Sequence, residues 1–528
     1  MSAYTSLGID ISTQSITGVV LRAGSVVAEL SLAYRDDPRL SRFGIDLASL
    51  IVPPRVPGEA DQPPLMFLAA LDLLLAELVR GGAPIAELDA IAVSAQQHGH
   101  VYLAADADAA FDSLHSDATA DLVERFTGAF SYGTAPIWQT ADTARPAAQI
   151  RDAVGGSQAM IRLSGSDSPL RFTGAVIRRV GLRYPQCYQD TARIHLLSSF
   201  ASGVLTGNAD CAIDWGNGAG MSLMDYSGRQ WSDELLGAVG ADLPGGVAAL
   251  RRKLPSLASP TDPAGTIASY FTQRYGVPST CRVAVGSGDN PQSKVLAHGD
   301  ILSLGTSFVY MIDTAVPVVD AQGFANSMYD GIGRPFVFAC RTNGALVWDR
   351  LRANFGADGD FKRSGRALAA ADPRATVAIW QPYAESYPVA APIPHQRIEQ
   401  GDGSFETWYP AVVDSALILT HAFARGFAGD SDAPLAVTGG PSSDPQVTAR
   451  IAAIWRRPVV PVAGGGAALG SALAALAAIG VAPEALDEVR QSVVPAGNRI
   501  EPDHSLVDAF HGSGGAIEAV LSAFDDLR

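Results

Sequence analysis

Two segments far apart in the chain share one design, and that echo limits the possible folds more than any other feature. Leu7–Leu21, LGIDISTQSITGVVL, reads as a strand, a polar turn at Ser12-Thr13-Gln14, and a second strand. Ile301–Ile312, ILSLGTSFVYMI, reads as a strand, a Gly305-Thr306-Ser307 turn, and a strand. Each hairpin opens a segment of domain size, so the chain is expected to be built as two related halves. A turn of small polar residues after a strand exposes backbone N–H groups and hydroxyls to an anion. Two such hairpins are suited to hold a polyphosphate from two sides.

With 528 residues the chain exceeds what one hydrophobic core sustains, which agrees with two domains. The two domains are expected over 1–292 and 293–528. A net charge of −16 argues against nucleic acid or an anionic membrane as the main partner. It leaves a phosphate ligand open, because local N–H groups and a metal reverse the field inside a site. The four cysteines, Cys187, Cys211, Cys281 and Cys340, are scattered with no CxxC spacing, as expected of reduced thiols rather than a disulfide framework. MSAYTSLGID carries no basic region and no apolar signal core, so a soluble, cytoplasmic protein is expected. The uncharged run Val462–Ala482 is long enough for a membrane span. Its Ala and Gly content, and the Gly464-Gly465-Gly466 opening, point to a buried helix after a turn.

Between the hairpins, polar residues collect at strand ends. Pro53–Pro64 reads as a surface excursion, followed by a packed helix over Leu65–Arg80. A buried strand over Ile91–Ala95 ends in Gln96-Gln97-His98-Gly99-His100, the sort of polar cluster that lines pockets in open α/β sheets. Ala104–Ala135 shows little pattern and is expected to be peripheral. Arg171, in Leu170-Arg171-Phe172-Thr173-Gly174, precedes a basic amphipathic helix carrying Arg178 and Arg179. Val285–Ser307 joins a Gly-Ser-Gly-Asp-Asn-Pro turn to the second hairpin, so the Asp289 carboxylate and the Asn290 amide stand close in sequence to a phosphate cradle. In isolation Asp-Asn between Gly and Pro describes an ordinary turn; beside the repeated hairpin it suggests a base for phosphoryl transfer to an alcohol.

The remainder of the second half continues the pattern. A helix begins after Asn343-Gly344, and a long one spans Ala411–Phe427. The strand Leu435–Thr438 ends in Gly439-Gly440 and leads into a helix at Gln446–Trp455, an arrangement suited to a nucleotide. No P-loop is present, and Gly464, Gly466 and Gly470 are spaced one residue too widely for a dinucleotide fingerprint.

With Gly8-Ile9-Asp10, Gln96-Gln97-His98-Gly99, Gly288-Asp289-Asn290-Pro291, Ser303-Leu304-Gly305-Thr306-Ser307 and Thr438-Gly439-Gly440 in order, the chain resembles the FGGY carbohydrate kinases, and among them the xylulokinases. The resemblance runs from about Leu7 to about Ala478. It implies an α/β, two-domain actin-like ATPase (ribonuclease H-like) fold with an interdomain cleft. It further implies an ATP- and Mg²⁺-dependent kinase acting on the terminal hydroxyl of a ketose, D-xylulose first. Asp289 would be the base, with His98, Arg171 and Asn290 beside it on the sugar. Asp10 would position Mg²⁺, and Thr13, Gln14, Gly305 and Thr306 would meet phosphates. Gly439, Gly440 and Asp444 would lie along the adenosine, with Phe361 packing against the base. The expected partner is a small-molecule sugar, without nucleic acid or membrane; monomer or homodimer stays open.

Two departures from the family pattern bear on the substrate. Trp138-Gln139-Thr140 has threonine where the family carries aspartate, with Asp142 two residues on, and Asp444 replaces a neutral Asn. Another ketose or polyol, such as ribulose, is therefore a competing acceptor. A non-catalytic sugar- or nucleotide-binding module of the same fold is the other alternative.

Overall fold

A computed structural model describes residues 4–116, 119–398, 402–428, 431–464 and 466–526. Its contacts divide the chain into two compact units. The first comprises Met1–Leu296, Ser327–Pro335 and Gly465–Val493; the second comprises Ala297–Asn326, Phe336–Gly464 and Val494–Arg528. The sequence suggests one cut at 292/293. The first break falls close to it, and 327–335 and 465–493 return to the first unit.

The first unit is organised on a mixed sheet. Strands β1 (Thr5–Ile11), β2 (Ser15–Arg22) and β3 (Ser25–Ala33) pair antiparallel in sequence order. On its other side β1 pairs in parallel with the strand Ala90–Ala95, which in turn pairs in parallel with Arg282–Ala284 and Ser287–Gly288. The polar turn expected at Ser12-Thr13-Gln14 joins β1 to β2, and the second hairpin, Ile301–Leu304 with Phe308–Asp313, turns through Gly305-Thr306-Ser307. One face of the first sheet is covered by the helix Pro64–Arg80. Met66, Phe67, Leu68, Leu71, Leu74, Leu75 and Leu78 are all buried there. Each such side chain contributes about 1.5–3 kcal/mol when removed from water.

The Ala/Gly-rich run near residue 470 forms the helix Gly466–Ala478, buried from Ala467 to Leu476. Gly465, in the turn read before it, lies outside the described residues, as do Met1–Ala3. No helix among the described residues is long and apolar enough to cross a membrane. Small residues serve close approach instead. A Cβ on Gly8 would lie 1.9 Å from the Ala468 carbonyl oxygen, and one on Gly470 would lie 1.9 Å from that of Gln292. Ser6 Oγ donates to Ala472 O at 2.8 Å, tying β1 to the same helix.

Two expectations need correction, and a third element is more deeply buried than its composition suggests. Pro53–Pro64 is only partly a surface excursion: Glu59, Ala60, Asp61 and Gln62 are buried. They are drawn in by ion pairs from Arg55 to Glu59 (3.1 Å) and Asp61 (2.6 Å). Ala104–Ala135 is not peripheral. Phe111 and Phe126 are buried edge to face at 5.0 Å and both meet Phe200, aromatic packing whose irregular spacing hides it from periodicity analysis. The helix over Thr173–Arg183 buries its two middle arginines rather than exposing them. Arg178 pairs with Asp242 at 2.6 Å and Arg179 with Asp142 at 2.9 Å.

In the second unit the strands run in the order Pro335–Arg341, Phe308–Asp313, Ile301–Leu304, Leu435–Thr438 and Val459–Pro461. The last three are mutually parallel neighbours. Phe308, Trp348, Leu351, Leu417, Val437 and Ile451 lie in its core. The long helix begins at Phe405, where Ser404 caps it by accepting from Thr407 N, and ends at Ala422. None of the four cysteines is joined in a disulfide.

Candidate functional site

Register assembles the site in the first unit. Parallel pairing sets Asp10 opposite Ser94 and Ile11 opposite Ala95, while Ser287 and Gly288 lie opposite Ser94 and Ala95. Three strands therefore end level, and the residues after each of them collect at one carboxyl edge, the usual place for ligands in such sheets. Asp10, the Gln96-Gln97-His98 run and Asp289 meet there.

Asp289 opens the short helix Asp289–Lys294. Its Oδ1 accepts from Asn290 N at 2.8 Å, Asn290 Nδ2 at 3.0 Å and Gln97 N at 3.4 Å. None of these bonds reaches Oδ2. Asn290 Nδ2 also donates to Gln97 Oε1 at 2.8 Å, which locks the amide beside the carboxylate. Desolvation, then the charge of Asp10, pushes the Asp289 carboxyl up to about 7, against the lowering pull of the N–H donors. Burial likewise raises Asp10 to about 6, although Ser94 Oγ donates to its Oδ1 at 2.6 Å. Two carboxylates with raised pKa values on one strand edge are poised to receive a proton or a cation.

His98 sits in a left-handed backbone conformation (φ 66°), 6% exposed, with its ring stacked on Phe172 at 4.7 Å. Desolvation and the Arg171 guanidinium lower its pKa to about 3, so the ring is neutral. Nδ1 faces the Gly220 carbonyl at 3.0 Å and must donate to it, which leaves Nε2 as a hydrogen-bond acceptor.

The first turn is wired to the same edge. Thr13 Oγ1 donates to Gln96 Oε1 at 2.9 Å and accepts from Trp138 Nε1 at 2.8 Å. Gln62 Nε2 donates to Thr13 O at 2.9 Å, and Gln96 Nε2 to Gln62 Oε1 at 2.7 Å. Gln14 is exposed at the turn tip. Of the two departures, Thr140 lies here: it is buried and donates to Ala60 O at 3.2 Å, and Asp142, two residues on, is engaged by Arg179 and Arg183.

The second unit carries a separate cavity of about 670 Å³, lined among others by Trp348, Arg352, Phe361, Tyr409, Gly440 and Asp444. The buried Trp348 indole N–H meets no acceptor among the described residues. Phe361 is 66% exposed, with the Arg352 guanidinium 4.8 Å from its ring centre. Asp444 Oδ1 caps the helix Pro445–Trp455 by accepting from Gln446 N at 2.8 Å. Gly439 has φ 96°, and a Cβ there would lie 2.3 Å from Leu304 O, so only glycine lets this turn lie against the Gly305 hairpin. Gly305 and Thr306 accept at their carbonyls from Ala345 N (3.1 Å) and Leu346 N (3.4 Å), the first residues of the helix Ala345–Asn354.

Asp10, Thr13, His98, Arg171, Asp289 and Asn290 thus belong to the first unit, and Gly305, Thr306, Phe361, Gly439, Gly440 and Asp444 to the second. Gln62, Ser94 and Ser287 carry no mark in the sequence, and Trp138 stands out there only as part of the Trp138-Gln139-Thr140 motif. Gln62 lies in a Pro-rich stretch, and only strand register reveals Ser94 and Ser287. No group of three His, Cys, Asp or Glu side chains among the described residues is arranged to hold a metal unaided.

No protein-family model matches the chain. Over 356 residues it is 33% identical to the xylulose kinase of Rattus norvegicus, a match covering 66% of this chain and 63% of that protein. Over 306 residues it is 35% identical to xylulose kinase 2 of Arabidopsis thaliana, covering 57% and 53%. The matched stretch thus spans less than two thirds of these relatives. The fold is that of solved sugar kinases. The crystal structure of the xylulose kinase from Rhodospirillum rubrum superposes with a TM-score of 0.80 at 16% identity, covering 99% of this chain and 98% of that one.

Proposed function

We propose that the protein is an ATP-dependent sugar kinase that phosphorylates the terminal hydroxyl of a ketose, D-xylulose first, giving D-xylulose 5-phosphate. The observation that carries this reading is Asp289, a carboxylate raised to about 7 whose Oδ1 is held by three N–H donors while Oδ2 takes none of them. In the reaction the sugar oxygen bonds to the γ-phosphorus, the bond to the β-phosphate oxygen breaks, and ADP leaves. The hydroxyl proton passes to Asp289 Oδ2. An aspartate is a weak base toward an alcohol, so most of the acceleration comes from alignment and charge neutralisation.

His98 Nε2 would accept from a sugar hydroxyl, and Arg171 and Asn290 would donate to others. Thr13 and Gln14, and likewise Gly305 and Thr306, would offer backbone N–H groups to phosphate oxygens. Asp10, an oxygen donor raised by burial with no cation among the causes of its shift, fits Mg²⁺ bound chiefly through phosphates and water. When bound, that ion would neutralise phosphate charge. Gly439, Gly440, Asp444 and Phe361 would border the adenosine. The matches to xylulose kinases support this acceptor. A second reading, the same chemistry on another ketose or polyol such as ribulose, is favoured by Thr140, which puts a hydroxyl where the resemblance implies a carboxylate.

Incubation with ATP, Mg²⁺ and a panel of ketoses and polyols, following ADP, tests both. The ranking of kcat/KM names the acceptor, and no sugar-stimulated ADP from any member rejects the kinase. Two further outcomes are expected. Because Asp289 must be ionised to accept the proton, kcat/KM should rise with pH and level off above about 7. A profile flat from pH 5 to 8 would contradict its role as base. Phe361→Ala should raise the nucleotide KM by about 10- to 100-fold with sugar KM unchanged, since stacking on an aromatic ring contributes about 1–3 kcal/mol per base. An unaltered nucleotide KM would remove Phe361 from the site.

A further inference from the structure

We propose that Asp214 is a positioning residue: one buried carboxylate holds both the strand end that delivers Asp289 and the helix end that holds His98. This rests on the kinase reading above.

Asp214 is 2% exposed and touches neither of those two side chains through any hydrogen bond described. Its Oδ2 accepts from Ser287 Oγ and from Asn217 N at 3.0 Å; its Oδ1 accepts from Asn217 Nδ2 at 2.8 Å. The first bond fixes the strand Ser287–Gly288, and Asp289 is the next residue. The other two make Asp214 the N-cap of the short helix Trp215–Ala219, which closes at Gly220. The Gly220 carbonyl is the group that receives His98 Nδ1 and so decides which ring nitrogen is left for a ligand.

The two arms are also locked sterically. A Cβ on Gly288 would lie 2.7 Å from Asn217 Oδ1 and 2.3 Å from Gln97 Cγ, so the strand end is clasped between the capped helix and the Gln97 run. Asn217 Nδ2 further donates to Ser198 Oγ at 2.9 Å, anchoring the clasp to the helix Leu197–Thr206. A displacement of the carboxylate would be passed to the proton acceptor through Ser287 and to the sugar contact through Gly220. Misplacement by about 1 Å is enough to lower a rate about 100-fold.

The test uses Ser287→Ala, which cuts only the strand arm, and Asp214→Asn, which disturbs both. Sugar Kd is measured by calorimetry, and kcat per folded molecule is taken with the folded fraction from circular dichroism. Ser287→Ala is expected to lower kcat about tenfold or more with sugar Kd within about twofold of wild type. Asp214→Asn is expected to lower kcat at least as far and to weaken sugar binding about tenfold. A merely structural carboxylate would change the folded fraction and leave both parameters per folded molecule unaltered, which would overturn the proposal. An Asp214→Asn protein with reduced kcat and unchanged sugar Kd would overturn the two-arm link. Should Asp214→Asn not fold, Ser287→Ala decides alone: an unaltered kcat overturns the proposal. A wild-type protein without sugar-dependent ADP formation overturns the kinase reading and this inference together. An active wild type with unaltered variants overturns this inference only.

Discussion

Replacement of Asp289 by Asn is expected to lower turnover about 100- to 10,000-fold, the range lost when a positioned general base is removed, while sugar affinity stays within a few-fold of wild type. The side chain keeps its volume, and the amide oxygen can still accept from Asn290 N and from Gln97 N, which approach Oδ1 at 2.8 and 3.4 Å. What disappears is the capacity to take a proton. Steady-state kcat together with calorimetric titration of the sugar separates the two effects. Undiminished kcat would show that the proton leaves by another route. Loss of sugar binding in proportion to turnover would make Asp289 a ligand only.

Gly470→Ala is expected to be among the most destabilising of single added methyls. Its Cβ would lie 1.9 Å from Gln292 O and 2.7 Å from Gln292 C, both backbone atoms that no rotamer change can move. Forced overpacking costs about 1–3 kcal/mol and at times more, which outweighs the ~1 kcal/mol that Ala gains over Gly inside a helix. The displaced element is Asp289–Lys294, so kcat per folded molecule should fall as well as the melting temperature. Gly237→Ala is the control: it also lies in a helix, and its added Cβ would meet nothing within 4 Å. Equal melting temperatures for the two variants would mean that the two helices can move apart freely.

Gly470 also shows how a sequence signal can be correct and incomplete. The Ala/Gly run was legible as a buried helix because it is mostly Ala and Gly rather than the Leu, Ile and Phe that dominate a membrane span. That Gly470 abuts Gln292 and that Gly8 abuts Ala468 required the packed helix, since close approach depends on which backbone lies opposite. The Phe111–Phe126–Phe200 cluster escaped for the converse reason: its members follow no helical or strand period, so nothing local marks them as core.

By itself the sequence determined the two hairpins with their polar turns, the strand that ends in Gln96-Gln97-His98, and the Gly439-Gly440 strand end. These are local consequences of apolar runs broken by small or polar residues, and they need no distant partner. Tertiary structure alone decided that Ser287–Gly288 lies level with Ser94–Ala95, which buries Asp289 within the field of Asp10 and so raises the Asp289 carboxyl, while burial alone raises Asp10. It also turned Asp142 toward Arg179 and Arg183, drew Glu59–Gln62 inside, and made Asp214 the link between strand and helix. The physical reason is common to all of these. Register, desolvation and buried ion pairing are set by groups remote in the chain, and no local pattern of residues encodes which remote group arrives.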